Sequence, residues 1–174
     1  MMRVSDAVVR SEAAGDAAAV AAVHRAAFGR ADEAALVDRL RVTVQPRVSL
    51  VACIADQVVG HVFFSPVAIA TGPVTLLPMG LAPVGVLPAW QRRGIGSVLI
   101  GAGLDACRTL GAHAVVVLGH AAYYPRFGFV PAARFGLRCE YDVPDDVFMA
   151  LELVPGALSG VTGMVRYAPA FADV

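Results

Sequence analysis

From Gln57 through Gln91 the chain carries no Asp, Glu, Lys or Arg. Length alone would let such a stretch cross a bilayer as a helix. It is interrupted, however, by Pro66, Pro73, Pro78, Pro83 and Pro88 and by Gly60, Gly72, Gly80 and Gly85. Each proline removes a backbone donor and clashes with the preceding turn, so no lone helix in hydrocarbon tolerates that density. The stretch is therefore expected to form buried strands.

The rest of the composition fits that reading. The 174 residues are 57% hydrophobic and 16% charged, with 14 basic side chains balancing 14 acidic ones. That length predicts one domain over residues 1–174, large enough to bury a core without disulfides or metal as staples. A net charge of zero gives no global electrostatic case for nucleic acid or an anionic membrane, so any anion site must be local. Cys53, Cys107 and Cys139 are odd in number and far apart, which points to small buried hydrophobes rather than a disulfide framework or zinc site. No metal is expected. The chain contains no Lys and no Asn, types with A-rich codons, as expected of a high-GC bacterial genome. Met1 to Arg10 has no apolar segment of the signal-peptide kind, and the expected location is cytoplasmic.

Periodicity sets out the elements. Val4 to Arg10 predicts a first strand. Val20, Val23, Ala27 and Phe28 recur at helical spacing within Asp16 to Phe28, and Leu36, Val37 and Leu40 do so within Asp32 to Val42. Ser49 to Ala55 and Val58 to Ser65 form a hairpin around Asp56-Gln57, with Val67 to Ile69 extending its second strand. A Thr71-Gly72-Pro73 turn leads to a strand within Leu76 to Val86 that Pro88 stops. Gly94 to Leu110 predicts a helix, with Ile95, Val98, Leu99, Ala102, Ala106 and Leu110 on its apolar face and Gly111 as its stop. Strands follow at Ala114 to Leu118, Val130 to Arg138 and Val147 to Leu153, with a short helix near Ala121 to Phe127. The tail, 155–174, has no clear pattern.

Chemistry concentrates where the apolar stretch ends. The strand ending at Pro88 is followed by Gln91-Arg92-Arg93-Gly94-Ile95-Gly96-Ser97 and then by a helix. Free N–H groups at a helix N-terminus, the dipole behind them and glycines that permit close approach make an anion site. The loop lacks the Lys-Ser/Thr ending of a P-loop and the third glycine of a dinucleotide fingerprint. It is a diphosphate cradle of another kind.

Gln91 to Gly96 after a Val-x-x-Pro strand end resembles the pyrophosphate motif of the GNAT superfamily of acyl-CoA-dependent N-acetyltransferases. The order of elements resembles that fold over about residues 4–153, and Tyr-Tyr-x-Arg-Phe-Gly-Phe resembles its YhbS-like branch. The resemblance implies an α/β (α+β) fold: a mixed, mostly antiparallel central sheet with a splayed strand pair, flanked by helices. It implies that the backbone of Val84, Gly85 and Val86 pairs with the pantetheine arm, and that the amides of Arg92, Arg93, Gly94, Ile95, Gly96 and Ser97 hold the pyrophosphate. It also places Tyr124, four residues before Gly128, where family members protonate the departing CoA thiolate. A phenol of ordinary pKa, about 10, is protonated at neutral pH and suited to that task. Packing in an aromatic cluster is the alternative role for Tyr123, Tyr124, Phe127 and Phe129.

Two departures from the family pattern stand out. Gly119-His120 occupies the place after the Ala114–Leu118 strand where many members carry Asn. Leu76 to Val86 has no carboxylate where members often place a basic Glu, so the base is unassigned. His120 has suitable chemistry, although a strand-end structural role is the default. Glu140, Asp142, Asp145 and Asp146 could recognise a cationic amine or merely form a solvated turn. His24, His61 and His113 show no metal-ligand spacing and are expected to be structural.

The implied activity is acetyl transfer from acetyl-CoA, as cosubstrate, to a primary amine by direct attack. The acceptor is a small molecule or peptide, with neither nucleic acid nor membrane as partner. A catalytically silent acyl-CoA-binding sensor or interaction module is the alternative, and a different nucleotide binder using the same loop is a weaker one. The apolar composition also leaves room for a homodimer interface.

Overall fold

A computed structural model of the chain describes residues 3–71 and 75–174. Its elements are β1 (Val8–Ser11), α1 (Ala17–Phe28), α2 (Asp32–Thr43), β2 (Val48–Ile54), β3 (Gln57–Pro66), β4 (Ala68–Ile69) and β5 (Pro78–Val86). They continue with α3 (Ile95–Leu110), β6 (Ala114–Leu118), β7 (Val130–Pro131), β8 (Leu137–Cys139), β9 (Phe148–Glu152) and β10 (Gly163–Arg166). Seven strands form the main sheet in the order β1-β2-β3-β5-β6-β9-β7, and β4-β10-β8 make a second, smaller one. The main sheet is antiparallel except between β5 and β6.

The uncharged stretch becomes β3 and β5 because both faces of the sheet are covered. Side chains alternate along a strand. Leu50, Ala52 and Ile54 of β2 and Val62 and Phe64 of β3 therefore join Ile95, Leu99, Leu104 and Cys107 of α3 in one core. Val51, Cys53 and Phe63 turn the other way and pack with Val20 of α1 and Leu36, Val37 and Leu40 of α2. A strand buried on both sides reads as a continuous apolar run rather than as an alternation.

β5 pairs with β3 along its length, from Pro66↔Met79 to Gly60↔Val86. With β6 it pairs only at Pro78↔Ala114, Met79↔Val115 and Gly80↔Val116. Beyond Gly80 the two strands part, because β6 follows its antiparallel partner β9 as far as Leu118↔Phe148. The expected mixed, mostly antiparallel sheet with a splayed pair is therefore present.

Several expected boundaries change. Val4–Asp6 is a 3-10 turn, and the first strand begins only at Val8. Ala68–Ile69 does not extend β3 but pairs with Val165 and Arg166 in the small sheet, since Pro66 ends β3. The Val130–Arg138 strand is two short strands in different sheets, separated by a 3-10 turn over Ala132–Phe135. The buried face of α3 is Ile95, Leu99, Ile100, Gly103, Leu104 and Cys107, whereas Val98 and Leu110, expected inside, are exposed. With the small residues Gly96, Gly101, Ala102, Gly103 and Ala106 spread around this helix, hydropathy alone does not fix which stripe faces inward. Part of the Thr71-Gly72-Pro73 turn lies outside the described residues. The tail supplies β10, parallel to β8, and a 3-10 helix over Pro169–Asp173 whose Ala170 carbonyl accepts a bond from Arg39 of α2 at 3.2 Å. Cys53 and Cys107 are buried as expected, Cys139 partly so.

One polar cluster lies within the second core. His24 of α1 and His61 of β3 are fully buried, with His24 Nε2 2.8 Å from His61 Nδ1. His61 Nε2 lies 2.8 Å from Ser49 Oγ, which donates to Glu12 Oε2 at 2.5 Å, and Arg41 Nη2 donates to Glu12 Oε1 at 2.6 Å. Burial, reinforced by His61, lowers the pKa of His24 to about 3, and burial also lowers that of His61. Burial pushes the Glu12 carboxyl upward, but the nearby His61, 3.8 Å away, and the bonds from Arg41 and Ser49 outweigh it and bring the value to about 2.

These shifts make stability acid-sensitive in a defined window. A histidine released by unfolding titrates near 6.5, whereas folded His24 stays neutral down to about pH 3, so its contribution is full above 6.5 and erodes as pH falls below it. The Glu12 contribution is lost only below the ordinary carboxylate range, as pH approaches 2. Urea unfolding should therefore show about 2 kcal/mol less stability at pH 5 than at pH 7 from His24 alone. A midpoint unchanged between those values would contradict the buried neutral state.

Candidate active site

The parting of β5 from β6 opens a cavity of about 650 Å³, a size usual for small-molecule sites. One wall is the free edge of β5 from Leu81 to Val86, and the other is Leu118, Gly119, His120, Tyr123 and Tyr124. Ala27 and Phe28 of α1, Glu33 and Leu36 of α2 and Phe171 of the tail line its mouth on one side, Gly96 and Ile100 of α3 on the other. Past the three shared pairs, β5 has no strand on that edge among the described residues. Its outward N–H and C=O groups remain available to an extended ligand, the geometry of strand addition.

At its far end β5 runs into the cradle. Gln91 Nε2 donates to the Val86 carbonyl at 2.9 Å, which ties the loop to the strand end. Arg92 (φ 60°) and Gly94 (φ 89°) are both left-handed, and Gly94 is the residue before helix α3. Alternating backbone hand turns successive N–H groups toward one concavity. The amides of Ile95, Gly96 and Ser97 in the first turn of α3 have no acceptor within the helix and add to it. A groove of about 380 Å³ lies there, lined by Val86, Trp90, Gln91, Arg92, Gly94, Ile95, Gly96, Ser97, Tyr123 and Arg126. The Ile95 side chain is core, so only its amide is available.

The structure thus brings together Val84, Gly85, Val86 and the loop residues expected to act with them, with one exception in detail. The Arg93 guanidinium stacks on Trp90, 5.1 Å from the ring centroid, and is absent from the groove lining. Arg126, unassigned from sequence, takes a place there. It lies over the Tyr123 ring at 4.2 Å and donates from Nε to the Tyr123 carbonyl at 2.8 Å. The Tyr123 hydroxyl is 2.9 Å from Ser97 Oγ, which makes Tyr123 a brace between the two walls.

Tyr124 is 6% exposed and lines the cavity. Its ring meets Tyr123 edge-on at 5.1 Å and Phe129 at 5.7 Å, so the packing expected of the aromatic cluster and access to the cavity coexist. Burial first, and the neighbouring Tyr123 second, push its pKa up to about 12. The phenol is thereby kept protonated. A thiolate generated in the same apolar cavity meets the same desolvation penalty and is a correspondingly stronger base.

The missing Asn has a steric explanation. A Cβ at Gly119 would lie 2.2 Å from Tyr124 Cε2, so Tyr124 occupies the volume that any side chain there would need. His120 is exposed at the cavity rim. His113 is structural, its Nδ1 accepting the Leu77 N–H at 2.9 Å. The acidic group is elsewhere: Glu140, Asp142 and Asp145 line a separate groove of about 320 Å³, and Glu140 accepts the Tyr167 N–H at 2.9 Å. The carboxylate that reaches the main cavity is Glu33, nearly buried and bonded by Arg30 Nε at 3.0 Å. From sequence it was legible only as a helix-start residue. No helix among the described residues is long and apolar enough to cross a membrane.

A strand edge left open by a splayed sheet, running into amides at a helix N-terminus, defines an acyl-CoA-dependent acyltransferase site. The family model for the acetyltransferase (GNAT) domain matches residues 8–132. The chain is 37% identical over 161 residues to the uncharacterized N-acetyltransferase YhbS of Escherichia coli K12, covering 92% of this chain and 95% of that one. The crystal structure of E. coli YhbS in complex with CoA superposes with a TM-score of 0.89 at 36% identity, covering 99% of this chain and 93% of that one. A GNAT family acetyltransferase from Brucella melitensis in complex with acetyl-CoA gives a TM-score of 0.78 at 37% identity, covering 95% and 97%. The chain belongs to the GNAT family of N-acetyltransferases.

The steric account of Gly119 has a direct consequence. Gly119→Ala should displace the Tyr124 ring and destabilise the protein by roughly 1–3 kcal/mol, the range for overpacking. Thermal melting measures this, and a melting temperature equal to the parent's would show that the ring has room to shift.

Proposed function

We propose that this chain transfers the acetyl group of acetyl-CoA to a primary amine by direct attack. The observation that carries the reading is continuity: the open edge at Val84–Val86 leads into the amides of residues 92–97, and Tyr124 faces that edge across the cavity. The complexes of the E. coli and B. melitensis relatives with CoA and acetyl-CoA support the choice of cosubstrate.

In this reading Val84, Gly85 and Val86 bond the pantetheine amides, and Arg92 to Ser97 with Arg126 bind the diphosphate. A β5 backbone N–H bonds the thioester oxygen and stabilises the negative charge that develops there. The amine forms its C–N bond as the C–S bond breaks, and Tyr124 gives its proton to the departing sulfur. Positioning supplies much of the acceleration. On the acceptor side Ala27, Phe28, Leu36, Ala82, Pro83 and Phe171 offer an apolar surface, with Glu33 at its edge. They favour an amine with an aromatic or branched aliphatic body, and 2-phenylethylamine is a suitable probe. Residues 1–174 act as one domain in this scheme, in the cytoplasm where acetyl-CoA is available.

Calorimetric titration with acetyl-CoA, with CoA and ATP as controls, should give a micromolar dissociation constant for the first two, about −8 kcal/mol, and no binding of ATP. Tyr124→Phe should keep that affinity while kcat for amine-dependent CoA release falls by about 10²-fold or more. Tight binding with no acetylated amine from the parent would indicate a silent acyl-CoA-binding module. Full turnover by the Phe variant would remove Tyr124 from the chemistry.

A further inference from the structure

We propose that Tyr123 is a positioning residue for the diphosphate of the cosubstrate: its phenol donates to Ser97 Oγ, which leaves the Ser97 proton free for a phosphate oxygen. The inference rests on the acetyl-CoA reading above and adds to it a side chain that acts on the diphosphate through a neighbour.

The cavity beside β5 and the groove at the start of α3 meet at Val86, Gln91, Gly96 and Tyr123, which line both. A Cβ on Gly96 would lie 3.6 Å from Tyr123 Oη and 3.9 Å from Val86 Cγ2, so the strand end, the first turn of α3 and the phenol border one passage. A ligand that runs from the β5 edge to the amides of Ile95, Gly96 and Ser97 goes through it. Its anionic part then arrives beside the contact between Tyr123 Oη and Ser97 Oγ, which are 2.9 Å apart.

Counting protons at that contact gives its direction. Each hydroxyl carries one proton and two lone pairs, so a single bond between them leaves one proton over. Serine and threonine in a helix often spend theirs on the carbonyl four residues back, as Thr109 does on Asp105 at 3.2 Å. Ser97 makes no such bond among the described residues, where its one side-chain partner is Tyr123. A phenol is the stronger donor and an alkyl hydroxyl the stronger acceptor, so Tyr123 gives and Ser97 receives. The proton left over is that of Ser97, in the groove that Ser97 lines. A hydroxyl that accepts one bond is polarised and donates the next more strongly, which suits an anion.

The phenol can do this because its ring is held. The Arg126 guanidinium lies over one face at 4.2 Å, and its Nε donates to the Tyr123 carbonyl at 2.8 Å. Tyr124 and Phe127 meet the ring edge-on at 5.1 and 5.6 Å. Ser97 is thereby ordered before any phosphate arrives, and binding does not have to order it.

Three ligands separate this role from packing. CoA has the diphosphate and a ribose 3′-phosphate, dephospho-CoA keeps only the diphosphate, and pantetheine has neither. Tyr123→Phe keeps the ring and loses the donor, and Ser97→Ala loses the relayed proton. Each should weaken CoA and dephospho-CoA about tenfold in calorimetric titration. Pantetheine affinity, read from amide NMR shifts in a millimolar titration, should be the same in both variants as in the wild type. Tyr123→Phe should cost nothing further in the Ser97→Ala background, since the phenol acts only through the serine. Wild-type CoA affinity in either variant, losses that add in the double variant, or an equal loss for pantetheine would overturn the positioning role and leave acetyl transfer intact. A loss that vanishes with dephospho-CoA would also overturn it, by placing the hydroxyl at the 3′-phosphate. A folded wild type that binds neither CoA nor acetyl-CoA would overturn both readings.

Discussion

β5 and β6 hydrogen-bond only where Pro78, Met79 and Gly80 face Ala114, Val115 and Val116, and the rest of the molecule depends on how early they part. Both strands have a second partner: β3 holds β5 through Val86, and β9 holds β6 through Leu118. The sheet can therefore separate in the middle without leaving either strand unsupported. What it leaves is one row of unpaired N–H and C=O groups on β5. Elsewhere such a row is a liability to be covered, and here it is the feature an extended ligand can use.

The separation is maintained from both faces. α3 packs on one side and α1 with α2 on the other, so the strands are clamped by two independent cores. The same clamp aims the chemistry. Rigid packing against β3 sets the direction of α3, and its first-turn amides consequently meet the end of β5. Phe28, Glu33 and Leu36 reach the cavity from the opposite face. The cavity is thus lined from both sides of one sheet, and the glycines at 85 and 119 are small because His24 and Tyr124 occupy the space beside them.

Much of this was legible in the sequence. Long periodic segments gave α1, α2, α3 and the β2–β3 hairpin nearly to the residue, because each buries enough apolar surface to declare its period. The loop at Gln91–Ser97 and the helix start within it were legible because glycines between a strand and an apolar periodic segment mark such a turn. Tyr124 was marked by its place before Gly128, but its raised pKa comes from burial that no spacing reveals. The short elements after Phe129 were misjudged as one strand, since three or four residues carry too little pattern to separate a strand from a 3-10 turn. Glu33, Arg126 and Phe171 were missed as site residues, each being ordinary in its own segment.

By itself, then, the sequence determined that an uncharged, proline-broken stretch must be a buried sheet, that a helix must start after the Arg-Arg-Gly-x-Gly loop, and that the family is GNAT. These follow from local rules: backbone donors, side-chain period and the dipole of a helix end. Only the tertiary structure decided which residues come together. His24 and His61 are separated by 37 residues yet sit 2.8 Å apart, and Glu12 reaches them through Ser49. Such contacts are made by strand register and by the crossing of α1 over β3 and β5, which depend on the packing of the whole sheet and leave no mark on any one segment of the chain.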